Sequence, residues 1–346
     1  RVMAALEEAE KPLICIGGGV FAAHAESEIR ELADLMQIPV ITTMMGISVF
    51  PDDDQLFCGM IGTHGVKMAN AAVNECDVLF LVGARVGDRA VKTPLALEKT
   101  TKIIHIDIDP AEIGKNIGAD LPLVGDAKLV LQQMTELAKP MKHDEWIAHI
   151  KTLGGEREYV EPAKGTVNPR VFIDRLAKKM PANVTVVADV GQNQIWTCTE
   201  YKFRKEGRLL TSGGMGTMGY SVPAAIGAKM ADDSRATVAI CGDGAFQMSF
   251  MELATAVQFG VDIKVVVMTN NRLGMVRELQ TNGYHDRQTA VFLDGSPDFI
   301  KLAEAYGIPA MRVYDDDTME RGIEMLAEHK GICLVEVVVD KDMPTL

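Results

Sequence analysis

Short, unbroken apolar runs alternate along this chain with longer stretches whose apolar residues recur every three or four positions. Residues 13–16, 40–43, 78–82 and 103–108 read as buried strands, as do 184–188, 237–241, 263–268, 310–313 and 332–339. Helical spacing marks residues 22–36, 66–73, 299–306 and 318–329. A further helix opens near Pro169 with Val171, Leu176 and Met180 on one face. Phe246, Phe250, Leu253, Ala254 and Val257 predict one more helix, stopped by Gly260. The alternation predicts an α/β protein of two doubly wound parallel-sheet domains. Residues 1–155 form the first and 169–346 the second. Between them, 156–168 read as a charged linker punctuated by Pro and Gly.

The most informative stretch follows the strand at 237–241. It breaks at Gly242-Asp243-Gly244, runs through the helix, and returns as a strand ending at Thr269-Asn270-Asn271. A right-handed parallel crossover puts both strand ends on one sheet edge, where ligands of open α/β sheets bind. Asp243 and Asn270 lie 27 positions apart. A carboxylate, an amide oxygen and a nearby main-chain carbonyl are hard donors suited to Mg²⁺, with phosphate oxygens completing the shell. Gly-Asp-Gly alone is a turn, and Asn-Asn alone is ordinary loop chemistry. The strand-turn-helix-strand context at this spacing is what marks a metal-diphosphate site.

That pattern resembles the thiamine diphosphate motif. Further blocks extend the likeness: residues 188–196 (Ala-Asp-Val-Gly-Gln-Asn-Gln-Ile-Trp), 211–220 (Thr-Ser-Gly-Gly-Met-Gly-Thr-Met-Gly-Tyr) and 223–228, then Arg272-Leu273-Gly274-Met275-Val276. Together they resemble the catalytic subunit of the acetolactate synthase (acetohydroxyacid synthase) family over nearly the whole chain. The resemblance implies Mg²⁺ held by Asp243, Asn270 and the carbonyl of Arg272. One residue separates this loop from the family's usual spacing: a gapless alignment puts Thr269 and Asn270 at the paired-Asn positions, and a slip of one makes Asn271 the ligand. It also implies cofactor contacts from Val190, Gly191, Gln192, Asn193, Gly216, Met218, Gly242, Gly244, Ala245, Met248 and Met275. Met218 matches the apolar residue that keeps the cofactor bent; a core Met at a helix start is the alternative. Met275 and Leu279 match substrate-side positions. Many relatives carry Trp where Leu279 stands.

In the first domain, Gly17-Gly18-Gly19 after a strand fits a close-packed turn as well as a nucleotide site, because G-x-G-x-x-G is not met. The segments 59–65 and 83–89 resemble the FAD-contacting parts of the family's central domain. The resemblance implies FAD contacts from Gly17, Gly18, Thr43, Ile61, Gly62, Thr63, His64, Gly83, Ala84, Arg85, Arg89, Asp107, Ile108, Asp126 and Ala127. Glycines let a backbone approach a nucleotide, and the two arginines suit phosphates or ring carbonyls. Asp107 at a strand end suits a ribose or adenine. Taken alone, His64 reads as a hydrogen-bonded structural histidine. Val86-Gly87 stands where the family commonly shows Phe-Asp.

The activity so implied is decarboxylation of one 2-keto acid and condensation with a second, giving 2-acetolactate from two pyruvates in branched-chain amino-acid biosynthesis. FAD has no obligatory redox role in it. Implied partners are 2-keto acids, further copies of the chain in a dimer or tetramer, and a small regulatory subunit. Pyruvate oxidase, glyoxylate carboligase and a non-catalytic nucleotide-binding module are the competing readings. Relatives carry a pyrimidine-binding domain, with the catalytic glutamate, before the point where this chain opens at Arg1. The chain thus reads as central and C-terminal domains only, expected to be inactive by themselves. Net charge −13 speaks against nucleic acid and anionic membranes as partners. Six scattered cysteines without metal spacing, and no apolar run of transmembrane length, fit a reducing, cytoplasmic setting.

Overall fold

A computed structural model describes residues 1–155 and 159–346. The chain divides into two compact units, Arg1–Arg157 and Glu158–Leu346. Glu156, Arg157 and Glu158, at the head of the expected linker, lie outside the described residues. At its far end Val167 is buried and donates to the Val338 carbonyl, so that part is already packed on the second sheet.

The first unit holds strands β1 (Pro12–Ile16), β2 (Val40–Thr42), β3 (Phe57–Met60), β4 (Val78–Val82), β5 (Lys102–Asp107) and β6 (Leu121–Val124). Its helices are α1 (Val2–Glu7), α2 (Gly19–Ala22), α3 (Glu26–Met36), α4 (Lys67–Glu75), α5 (Pro94–Leu97), α6 (Ala127–Leu137) and α7 (Asp144–Thr152). All strands pair parallel in the order β3-β2-β1-β4-β5-β6. β1 and β4 are buried on both faces, which is why they read as unbroken apolar runs. One face packs Ile14, Phe80 and Ile104 under α3 and α6; the other packs Leu13, Leu79 and Ile103 with residues of α4 and α7. The expected helix over 22–36 is in fact two, because His24 adopts a left-handed φ of 51° and breaks it.

The second unit holds β7 (Thr185–Ala188), β8 (Arg208–Thr211), β9 (Thr237–Gly242), β10 (Lys264–Thr269), β11 (Ala310–Val313) and β12 (Cys333–Val338). Its helices are α8 (Pro169–Lys179), α9 (Gln192–Glu200), α10 (Ser221–Ala231), α11 (Asp243–Ser249), α12 (Leu253–Gln258), α13 (Gly274–Gly283), α14 (Phe299–Ala305) and α15 (Asp316–Glu328). These strands are also all parallel, ordered β11-β12-β10-β9-β7-β8. The two six-stranded sheets with flanking helices are the α/β architecture expected. Two local readings need correcting. The helix expected through 246–257 is interrupted by a short 3₁₀ turn, Phe250–Glu252. The glycine after the strand at 184–188 predicts a turn over 191–193, but Gln192 and Asn193 are already the first residues of α9, whose nine residues are all buried.

Among the described residues no helix is long and apolar enough to cross a membrane. The six cysteines are all buried and free, and burial pushes the thiols of Cys15, Cys58, Cys76 and Cys198 up to about 12. They are packing residues, not nucleophiles.

Candidate functional site

The crossover that was legible in the sequence closes at the carboxyl edge of the second sheet. β9 and β10 are neighbours, and Asp243, the first residue of α11, is buried where they end. Its Oδ2 accepts from the backbone N–H of Asn271 at 2.6 Å and of Asn270 at 3.2 Å, while Oδ1 accepts from Gly244 at 2.8 Å. Each carboxylate oxygen offers two acceptor sites, so Oδ1 keeps one. The Asn270 side chain folds back, its Oδ1 accepting from the N–H of Arg272 at 3.1 Å, and this tightens the loop into an Asx turn. Asn271 holds a left-handed φ of 54° and is exposed. The Arg272 guanidinium points outward, stacked 4.6 Å from the Phe292 ring centroid and bonded to Asp294 at 2.8 Å. Its side chain is thereby committed away from Asp243.

Burial pushes the Asp243 carboxyl up to about 6, against the four backbone N–H groups, of Asn271, Gly244, Asn270 and Asp243 itself, that favour its ionised form. Because this value lies above the ordinary 3.8, the contribution to stability is fully present below pH ~4 and is lost as pH rises through ~6. The full loss is ~3 kcal/mol. A divalent cation, were one bound there, would relieve that cost and compete with the proton. Mg²⁺ is therefore expected to raise the melting temperature more at pH 8 than at pH 5, with affinity falling about tenfold per pH unit below ~6. Melting curves with Mg²⁺ and with chelator across that range check it; a stabilisation indifferent to pH would refute it.

Two further helices start at this edge. Gly191, with φ 140°, precedes α9, and Gly274 opens α13. Gly274 leaves room for the Gln192 side chain: a Cβ would stand 1.9 Å from its Oε1 and force that amide to shift. Gln192 is itself buried. Its Nε2 shares two hydrogens among the Met343 carbonyl at 2.9 Å, Thr345 Oγ1 at 3.2 Å and Glu278 Oε2 at 3.2 Å, while Oε1 accepts from Asn270 Nδ2 at 3.3 Å. Glu278 also accepts from the N–H and the hydroxyl of Thr345. Asn193 is a stitch between strands, its Nδ2 donating to the carbonyls of Asp189 at 2.8 Å and Ile240 at 3.2 Å. The amide hydrogens of both residues, for which the resemblance implies cofactor contacts, are engaged inside the protein.

An apolar floor lies beside the carboxylate. A Cβ on Gly244 would sit 2.8 Å from Leu273, 3.2 Å from Leu293 and 3.5 Å from the Met218 methyl. Ala245 is buried, Met218 and Met275 are half-buried, and Met248 and Leu279 are exposed. Val190 donates to its neighbour Asp189, and Gly216 to Ser212. Among the described residues no three His, Cys, Asp or Glu side chains gather as a metal site. Any cation here must use mixed carboxylate, amide and carbonyl oxygens. Residues 189–337 match the family described as thiamine pyrophosphate enzyme, C-terminal TPP binding domain, and residues 1–134 match its central domain.

The chain belongs to the thiamine pyrophosphate enzymes.

Among relatives, it is 40% identical over 346 residues to the probable acetolactate synthase large subunit of Methanocaldococcus jannaschii, covering 97% of this chain and 58% of that protein. It is 36% identical to the acetolactate synthase large subunit of Lactococcus lactis, covering 99% of this chain and 60% of that protein. The Corynebacterium glutamicum large subunit is 40% identical, with 97% and 55% covered. The chain thus spans under two thirds of the length of these relatives.

On the carboxyl edge of the first sheet, the strand order places a switch point between β1 and β4. There the glycines meet each other: a Cβ on Gly17 would lie 2.1 Å from the Gly83 carbonyl oxygen, and one on Gly18 would lie 3.1 Å from Met45. Thr43 donates back to the Ile16 carbonyl, and the buried Ile61 to that of Thr42. Gly62, with φ 116°, exchanges two hydrogen bonds with the Asn70 side chain, and Thr63 donates to the Arg89 carbonyl. His64 is half-buried; Arg85 and Arg89 are exposed, beside the buried Ala84. Asp107 ends β5, Ile108 is exposed beyond it, and Asp126 caps α6 ahead of the buried Ala127. The His105 ring is buried with Nε2 4.0 Å from Asp107 Oδ2, and burial lowers its pKa against that carboxylate.

Sequence reasoning missed Asp189, Gly274, Glu278 and the 343–345 segment as parts of this edge. Asp189 carried a faint signal, a strand-end carboxylate before a glycine. Glu278 carried none, since its partners Gln192 and Thr345 are remote in the chain.

Proposed function

We propose that this chain supplies the central and cofactor-binding domains of an acetolactate synthase large subunit, which condenses two 2-keto acids with loss of carbon dioxide. The observation that carries the reading is the Asp243–Asn270–Asn271 loop closure, in which a buried carboxylate with a free acceptor site sits beside two helix starts. Hard oxygens, no basic side chain at the carboxylate, and backbone N–H groups at the starts of α9 and α13 fit a Mg²⁺-diphosphate. Asp243, the Asn270 side-chain oxygen and the Arg272 carbonyl would hold the cation, with Asn270 favoured over Asn271 because Asn271 faces solvent. Met218, Leu273 and Leu293 would form the apolar support for the organic part of the cofactor. Thiamine diphosphate, when bound, supplies the electron sink for decarboxylation.

FAD belongs to the same reading. The switch point of the first sheet, bordered by Gly17, Gly18, Gly83, Ala84 and Arg85, would hold its pyrophosphate, and Asp107 its ribose. FAD's role here is structural.

Because the chain spans about three fifths of its relatives' length, the assay joins it to the remainder those relatives carry. Acetolactate formed from pyruvate, dependent on thiamine diphosphate and Mg²⁺, supports the proposal. Acetyl phosphate or tartronate semialdehyde as product would reassign it to pyruvate oxidase or glyoxylate carboligase. Failure to bind thiamine diphosphate would leave a nucleotide-binding module.

Leu279, exposed on α13, makes the acceptor preference testable. An aromatic ring there offers more apolar contact, and one buried methylene is worth about 0.8 kcal/mol, roughly fourfold in rate ratio. Leu279→Trp is expected to raise the preference for 2-ketobutyrate over pyruvate by about that factor. Competition between the two acceptors measures it, and an unchanged ratio removes Leu279 from the acceptor site.

A further inference from the structure

Asp189 follows β7 and is fully buried. Its carboxylate meets three backbone N–H groups: Oδ1 accepts from Val190 at 2.8 Å and Gly219 at 3.0 Å, and Oδ2 from Ser221 at 2.7 Å. Two of these donors, Gly219 and Ser221, lie 30 and 32 residues further along the chain, at the end of a connecting segment and at the first residue of α10. That segment, 212–220, joins β8 to α10, and residues 213–217 are exposed. The other hydrogen bonds there are local, Gly216 and Thr217 each donating to Ser212. Met218 stands immediately before the clamped Gly219.

We infer that Asp189 is the positioning residue that fixes Met218 on the apolar floor of the thiamine diphosphate site, an inference that rests on the function proposed above. Gly219 has φ 84°, and a Cβ on it would lie 3.0 Å from the Met248 Cβ, so the clamped backbone has little alternative course. With Gly219 and Ser221 tied to one carboxylate, Met218 is held with its methyl against Gly244. The neighbouring strand uses the same device. Asp243 gathers the N–H groups of Asn270 and Asn271 from a loop 27 and 28 residues away, as Asp189 gathers those of Gly219 and Ser221. The two carboxylates differ in what is left over: Asp243 leads into the oxygen donors of the metal loop, whereas Asp189 leads into an apolar side chain. Hydrogen bonds to a charged acceptor are among the stronger ones, and burial leaves no water to replace them.

Asp189→Asn puts an N–H₂ where one pair of acceptor sites was, facing backbone donors. The variant and the parent are compared with the chain joined to the remainder its relatives carry. Thiamine diphosphate affinity is expected to fall about tenfold, with loss of the circular-dichroism band induced in the bound cofactor, while affinity for Mn²⁺ as a Mg²⁺ probe stays within about twofold. A merely structural role would lower both affinities together, and that result would overturn the inference, as would a variant that keeps the parent's cofactor affinity and band. Amide hydrogen exchange in the parent needs no variant to fold. Gly219 and Ser221 are expected to be protected far beyond residues 213–217 without cofactor, and exchange of those two amides at the rate of 213–217 would also overturn it. A parent that binds no thiamine diphosphate refutes the proposed function, and the exchange measurement still decides whether Asp189 holds the segment.

Discussion

Asp243→Ala is expected to abolish Mg²⁺-dependent binding of thiamine diphosphate, weakening it by about 10²–10³-fold, or ~3–4 kcal/mol. The carboxylate is the one charged donor of the proposed site, and it also closes the Asn270-Asn271 turn through two backbone hydrogen bonds. Its removal takes away the cation's main attraction and frees the loop that presents the other two donors. Isothermal titration with Mg²⁺ and thiamine diphosphate measures the loss. In the same variant the metal-free protein should no longer lose stability between pH 4 and 6 through this group, because the buried carboxyl responsible is gone. Cofactor affinity equal to the parent's would remove Asp243 from the metal site.

Gly17→Ala is expected to unfold the first unit, at a cost of ~3–5 kcal/mol. A methyl there would stand 2.1 Å from the Gly83 carbonyl oxygen and 2.5 Å from the Ala84 Cα, both backbone atoms of the neighbouring strand end. Neither can move without separating β1 from β4, the paired centre of that sheet. Denaturant melts monitored in that unit measure the cost. Gly18→Ala is the contrast, because its Cβ would meet Met45 less closely, at 3.1 Å from the Cβ and 3.4 Å from the carbonyl oxygen, so a shift of a few tenths of an ångström relieves it. If Gly18→Ala stays folded but loses flavin, Gly18 belongs to the nucleotide site and Gly17 to packing. A Gly17→Ala protein as stable as the parent would contradict the close approach of β1 and β4.

The amino-acid sequence by itself determined the parts of this protein that depend on local periodicity. Parallel strands buried on both faces write themselves as unbroken apolar runs, so β1, β4, β9 and β10 were legible, and with them the α/β class. The spacing of Asp243 and Asn270 was enough to bring them together, because a parallel crossover leaves both strand ends on one edge. β3, β6 and β8 were harder: their half-buried residues alternate over only four positions, and Pro122 interrupts one of them. What only the tertiary structure decided is how side chains at the edge divide the work. A hydrogen bond between positions 86 or 153 apart, as Gln192 makes to Glu278 and Thr345, leaves no periodic mark in either segment. The same holds for the glycines. Gly17 and Gly274 look alike in sequence to glycines in any turn, and only the packed neighbours, the Gly83 backbone for one and Gln192 for the other, show what a side chain would meet. Short-range chemistry is repeated along the chain and can be read there, whereas the close approach of distant backbones exists only once the sheets have formed.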